Sequence, residues 1–262
     1  MTSEAYFADS HISRSTAHRY RGKDGGRAQR YQEVLGRSLF SGSASTTFGT
    51  AVDIACGASI ERVEWRSRLV VPPTDVLSPD GHRRGKLYTT WKEQIQPGAC
   101  EVSRADYEKI AEIIDALHEH NGARSLIEAT THSQYSVFWT DADGHERKAR
   151  ADGVTPSEWW DLKTTSSDWK DMKYSFLKYG YTWQSAWYSD SAIATGLWSP
   201  FIFRFVVVQT FAPFDVRIYY LPQDVVEQAR EEIAKTLNEM RLREEFGAYV
   251  PDSYHDSIEL VF

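Results

Sequence analysis

The chain has 262 residues, 41% of them hydrophobic and 26% charged, enough to bury a core without staples and too balanced for bulk disorder or a fibre. No apolar run nears the roughly 20 residues that a membrane-spanning helix needs, and the N-terminus has no leader-like pattern, so a cytoplasmic location without membrane contact is expected. A formal net charge of -7 argues against a protein that coats nucleic acid nonspecifically, while leaving room for a local basic groove.

Along the chain, the stretch from His11 to Arg37 is the one basic segment, carrying Arg14, Arg19, Arg21, Lys23, Arg27, Arg30 and Arg37. It reads as a solvated arm or as a phosphate-contacting one. Ser41-Gly42-Ser43-Ala44-Ser45 reads as a connector ahead of a short apolar helix with Gly49, Val52 and Ile54. Cys56 and Cys100 are too few for a disulfide framework and are expected as buried, reduced thiols. Residues 61–101, punctuated by Pro72-Pro73, Pro79-Asp80-Gly81 and Pro97-Gly98, suggest irregular structure with short strands. Ser103 and Asp106 form an N-cap signature, followed by Tyr107, Ile110, Ile113, Ile114 and Leu117 at helical spacing until Asn121-Gly122.

Tyr135, Val137 and Trp139 then alternate, a turn falls at Asp141-Ala142-Asp143-Gly144, and strands through Asp152 and over Trp159–Thr165 complete a three-strand meander. Helices are expected near Trp169–Lys178 and Thr182–Ala194, strands over Phe201–Gln209 and Phe214–Leu221, and a last helix after Pro222. In that helix Val226, Ala229, Ile233, Leu237 and Met240 form a core-facing stripe. The pattern is that of a mixed α/β domain with a central mixed sheet flanked by helices.

The chemistry concentrates in Arg150-Ala151-Asp152-Gly153-Val154 and Trp159-Trp160-Asp161-Leu162-Lys163-Thr164-Thr165. Residues two apart on a strand share a face, so Asp161 and Lys163 project together, and Asp152 on the neighbouring strand can sit opposite them. Desolvated like charges are costly unless a cation neutralises them, which suits Mg²⁺ or Mn²⁺. Lys163 could then orient or deprotonate a water or meet a phosphate; a surface salt bridge is the plain alternative. Arg147, Lys148, Arg150, Lys170, Lys173 and Lys178 read either as solvated faces or as a groove for DNA. Trp159, Trp160, Trp169, Trp183 and Trp187 read mostly as core, with stacking on frayed strand ends as the other use. His82, His118 and His120 show no metal-ligand spacing, and no Walker-type phosphate loop is present.

Tyr135-Ser136-Val137-Phe138-Trp139, Lys148-Ala149-Arg150-Ala151-Asp152, Asp161-Leu162-Lys163-Thr164-Thr165 and Tyr179-Gly180-Tyr181 with Gln184 and Tyr188 occur in a telling order and spacing. Together they resemble the PD-(D/E)xK nuclease superfamily, restriction-endonuclease-like in core, and within it the RecE/RecB-type exonucleases of phage and prophage recombination modules. The resemblance runs from the N-terminus to about Leu221, and the whole chain reads as one nuclease domain over residues 1–262, with an arm and linker over 1–45, a core over 46–221 and a C-terminal helix and tail over 222–262. The resemblance implies catalysis by Asp152, Asp161 and Lys163, with Mg²⁺ or Mn²⁺ held by Asp152, Asp161 and the Leu162 carbonyl. Gln184 and Tyr188 match the family's motif and could contact the DNA strand or the site, and Arg150 is a further candidate DNA contact; the resemblance also implies a metal-dependent exonuclease that resects linear double-stranded DNA to single-stranded tails for an annealing protein, with subunits that often form rings. A structure-specific or single-strand endonuclease, or a catalytically weakened DNA-binding module, are the alternatives. Two positions depart from the family: Asp53 stands, after Gly49-Thr50-Ala51-Val52, where it has a metal-binding histidine, and Gln134 where relatives often carry an acid. Asp53 is a competent hard ligand, and Glu128 is a candidate substitute for the missing acid.

Overall fold

Alternating side chains in the middle of the chain assemble a mixed sheet, and helices drawn from both sides of it in sequence cover its two faces. The computed structural model describes residues 3–21, 44–196 and 202–245. Ser3–Ala8 (α1), Ile12–Ser13 (β1) and Arg14–Arg21 (α2) come first, and the helix Ala44–Ile60 (α3) follows. Short strands Leu69–Val70 (β2) and Cys100–Glu101 (β3) pair in parallel and bracket the helix Lys86–Glu93 (α4). Then come Arg104–Glu119 (α5), Asn121–Ala129 (α6), His132–Thr140 (β4), Glu146–Val154 (β5) and Trp159–Thr165 (β6). Met172–Lys178 (α7), Tyr181–Ala194 (α8), Phe203–Gln209 (β7), Val216–Tyr219 (β8) and Gln223–Glu245 (α9) complete the order.

The strands β4, β5 and β6 form the antiparallel meander that their alternation predicts. β7 runs parallel to β6 from Trp159 beside Phe203 to Thr165 beside Gln209, the crossover passing through α7 and α8, and β8 closes that edge antiparallel. β5 shares its second edge between two partners. Arg147 and Lys148 pair with β1, whereas Gly153 and Val154 pair with β6, so β5 and β6 part company beyond Gly153 and the sheet forks. Where the strands separate, α8 supplies side-chain donors to β5: Trp187 Nε1 donates to the Lys148 carbonyl at 2.9 Å and the Tyr188 hydroxyl to the Arg150 carbonyl at 2.7 Å.

On one face Val52 of α3, Ile113 and Leu117 of α5 and Leu126 of α6 pack on Trp160, Leu162, Val206 and Val208. On the other, Met172 and Phe176 of α7 cover Trp159, Phe205 and Val207, while α2, α8 and α9 join through Ala17, Trp183, Trp187, Ile233 and Leu237. The five-residue stripe of α9 is buried throughout. Trp159, Trp160, Trp183 and Trp187 are fully buried, which makes them core and leaves only the half-buried Trp169 of that group near the surface.

Local readings shift in three places. Ala44 and Ser45 already belong to α3, and Ser41 to Ser43 lie outside the described residues, as do Lys23, Arg27, Arg30 and Arg37. Asn121-Gly122 does not end the helical region but opens α6, because His120 Nδ1 accepts the Ala123 amide at 3.1 Å and caps a new turn. The eight residues of α4 carry too short a pattern to be read as a helix among prolines and glycines.

Gly153 sits where the fork closes, and a Cβ added there would fall inside the Trp160 indole. That indole is locked, fully buried and donating to Thr130 Oγ1 at 2.9 Å. Gly153→Ala is therefore expected to lower stability by about 1–3 kcal/mol, as overpacked cores do, read as a drop in the denaturant midpoint at unchanged slope.

Candidate active site

The fork is also where the candidate residues converge. Strand alternation puts Asp161 and Lys163 on one face of β6, where the ammonium bonds Asp161 Oδ2 and lies 5.4 Å from the centre of the Tyr181 ring. Asp152 does not reach them by simple cross-strand alignment. The β4–β5 ladder pairs Ser133 with Gly153 and Tyr135 with Ala151 but skips Gln134 and Asp152 between them. Gln134 has φ 48°, a left-handed conformation that costs of order 1 kcal/mol outside glycine. Ala151 and Val154 consequently face the same core cluster although three residues apart, so alternation breaks at Asp152 and its side chain turns into the fork. There Oδ2 accepts the Leu162 amide at 2.8 Å and Oδ1 accepts Gln134 Nε2 at 2.9 Å.

Because the N–H and C=O of an extended residue point to the same strand edge, the Leu162 carbonyl also faces the fork. Asp53 approaches from α3. Burial pushes its carboxyl up to about 7, with Lys163 opposing and Asp161 adding to the rise. Burial likewise raises Asp152 well above the ordinary carboxylate range, helped by the charges of Asp161 and Asp53 and opposed by Lys163 and the Leu162 amide. Burial works against the Lys163 ammonium, but Asp161 and then Asp152 outweigh it and hold it above its usual value. Cys56 lies close by, its thiol pushed up by burial and by Asp53 and Asp152.

Among the described residues no three His, Cys, Asp or Glu side chains stand in metal-binding geometry. The donor chemistry nonetheless fits a hard divalent cation: the Asp53 and Asp152 carboxyls are pushed up by burial and by the charge of Asp161 beside them, and the Leu162 carbonyl faces the same fork. Asp53, Asp152, Asp161 and Leu162 are the residues that would hold it. Two clefts flank the cluster. One, of about 400 Å³, is lined by Asp53, Gln134, Arg150, Arg68 and Thr50; the other, of about 450 Å³, by Lys163, Lys109, Thr165, Ser166, Ser175 and Tyr179.

Several anticipated DNA contacts have other work in this structure. Gln184 is buried and accepts Arg14 at 3.2 Å, and Tyr188 donates to the Arg150 carbonyl of β5, so both side chains are engaged inside the fold. Arg147 is buried between Asp190 at 3.2 Å and Asp141 at 3.6 Å and stacks on Trp187 and Trp139; Lys148 donates to the carbonyls of Tyr6 and Asp9. Arg150 borders the Asp53 cleft, with Nε on Gln134 Oε1 at 3.1 Å. Lys170, Lys173 and Lys178 are exposed, and so is Glu128 on α6. Sequence reasoning places Trp187 in the core but misses its bond to the Lys148 carbonyl, for which the signal is that a buried indole N–H needs an acceptor.

Among the described residues no helix is long and apolar enough to cross a membrane. No curated protein matches the sequence. A solved structure titled "Putative exonuclease" from Eubacterium rectale is 16% identical, with a TM-score of 0.61 over 100% of this chain and 96% of that one, which is likeness of fold. An alkaline exonuclease from Laribacter hongkongensis, at 14% identity over 78% of this chain and 95% of its own, reaches a TM-score of 0.33, too loose to bear on the fold. The profile of a PDDEXK-like domain of unknown function (DUF3799) matches residues 40–244, spanning α3, strands β4 to β8 and most of α9. With its carboxylates and lysine gathered at the parting of β5 and β6, this chain belongs to that PDDEXK-like family.

Proposed function

We propose that the chain is a divalent-metal-dependent deoxyribonuclease that resects the ends of linear double-stranded DNA, leaving single-stranded tails for an annealing protein. The observation that carries this is the convergence of Asp53, Asp152, Asp161 and Lys163 at the fork, in a PDDEXK-like chain, between two open clefts. A bound Mg²⁺ or Mn²⁺ would polarise the phosphate and make a water a better nucleophile. The chain's own residues do the placing. Asp152 is fixed at both oxygens and Asp161 by Lys163, so both carboxylates are held at the fork. Lys163 projects into the cleft rich in hydroxyls, where a phosphate set on the cluster meets its ammonium and neighbouring Thr165 and Ser166 can donate to flanking phosphate oxygens. Retention of all three of Asp152, Asp161 and Lys163 speaks against a decayed, binding-only module.

The test is one gel. Purified protein is incubated with linear duplex and with covalently closed circular DNA, each with Mg²⁺, Mn²⁺ or EDTA. Loss of the linear form alone, and only with metal, is expected. Cleavage of the circle would replace the exonuclease reading by an endonuclease one, and cutting in EDTA would remove the metal from the mechanism.

A further inference from the structure

The fork contains a second cation source besides Lys163. Arg150 stands two residues before Asp152 on β5, and its half-buried guanidinium feels the Asp152 charge. A direct pair between them would neutralise Asp152 internally. It does not form, because the Gln134 side chain lies between: its carbonyl oxygen accepts Arg150 Nε at 3.1 Å and its amide donates to Asp152 Oδ1 at 2.9 Å. Ser136 Oγ takes Arg150 Nη1 at 3.3 Å and draws the guanidinium further away. The left-handed backbone at Gln134 brings this amide into line with Asp152.

We propose that Gln134 is a positioning residue, a neutral spacer that keeps Arg150 off Asp152 and so leaves Asp152 free for a divalent cation. An amide is suited to this because one end accepts and the other donates. It therefore satisfies the guanidinium and the carboxylate together without adding charge. This rests on the metal-binding reading of the cluster given above, and it goes beyond that reading in assigning a role to a residue that carries no ligand.

The experiment measures Mn²⁺ affinity by isothermal titration calorimetry, without DNA, for the full chain. Four proteins are compared: the parent, Gln134→Ala, Gln134→Glu, and the double variant Gln134→Ala with Arg150→Met. Alanine keeps a Cβ and hence the same backbone strain, so it isolates the amide. Gln134→Ala is expected to weaken Mn²⁺ binding at least ~10-fold, as loss of groups that orient a ligand does, because Arg150 then pairs with Asp152. Removing Arg150 in that background is expected to restore affinity to within about 3-fold of the parent. Gln134→Glu still engages Arg150 and is expected to bind at least as tightly as the parent, a result that mere loss of structure does not produce. Parent-like affinity in Gln134→Ala, or a double variant as weak as the single one, overturns the spacer role while the metal site stands. A parent that binds no Mn²⁺ overturns the metal site and the spacer together.

Discussion

Lys163→Ala is expected to slow cleavage of linear DNA at least ~100-fold while DNA affinity changes little, the range for a lost acid–base or electrostatic group at the reacting phosphate. The side chain is tied to Asp161 and lies over Tyr181 at the mouth of the hydroxyl-lined cleft. Its contacts are with Asp161 and Tyr181, so its loss is expected to act on the proposed chemical step more than on duplex binding. Single-turnover rates and a binding isotherm in Ca²⁺ separate the two effects. Cleavage within about threefold of the parent would remove Lys163 from the chemical step.

Divalent metal is expected to stabilise the protein, and the carboxylates are expected to differ in what their loss does. At 100 times its dissociation constant a ligand of the native state alone adds about 2.7 kcal/mol, which for a chain of this size raises Tm by roughly 5–10 °C. Asp152→Asn should abolish that shift and leave metal-free stability unchanged or slightly higher. It removes a costly buried charge while keeping an acceptor for the Leu162 amide. Asp161→Asn should abolish the shift too, but at a cost of about 1–3 kcal/mol, because Asp161 is the partner of the Lys163 ammonium. Melting curves with EDTA and with millimolar Mg²⁺ or Mn²⁺ read both effects. An intact metal shift in both variants would place the metal elsewhere.

Much of this arrangement is legible in the sequence where local rules act alone. Asp161 and Lys163 share a face because strands alternate, and β6 runs over the seven residues its pattern marks. α5 begins where Ser103 accepts the Asp106 amide at 3.0 Å, as the cap signature predicts. What is not legible arises where distant segments meet. Nothing in the vicinity of Gln134 announces a left-handed residue, and so nothing shows Asp152 leaving its ladder position. Arg147 and Lys148 look like surface cations because only tertiary packing brings Trp187, Asp190 and the Tyr6 carbonyl around them. The Gln184 and Tyr188 spacing correctly gives one helix face, but not what that face meets. It meets the back of β5 and Arg14, not an open surface.

The forked sheet also leaves one backbone amide in an unusual role. Leu162 N–H is held by a carboxylate instead of a strand carbonyl, so its proton senses the electron density on Asp152 directly. In a ¹H–¹⁵N spectrum that resonance becomes a built-in probe. Any event that draws charge from Asp152, whether cation capture or protonation, is expected to move the Leu162 signal along the proton axis more than those of its neighbours in the β6–β7 ladder. The reaction cycle can thus be followed at one atom pair, without a label on the nucleic acid.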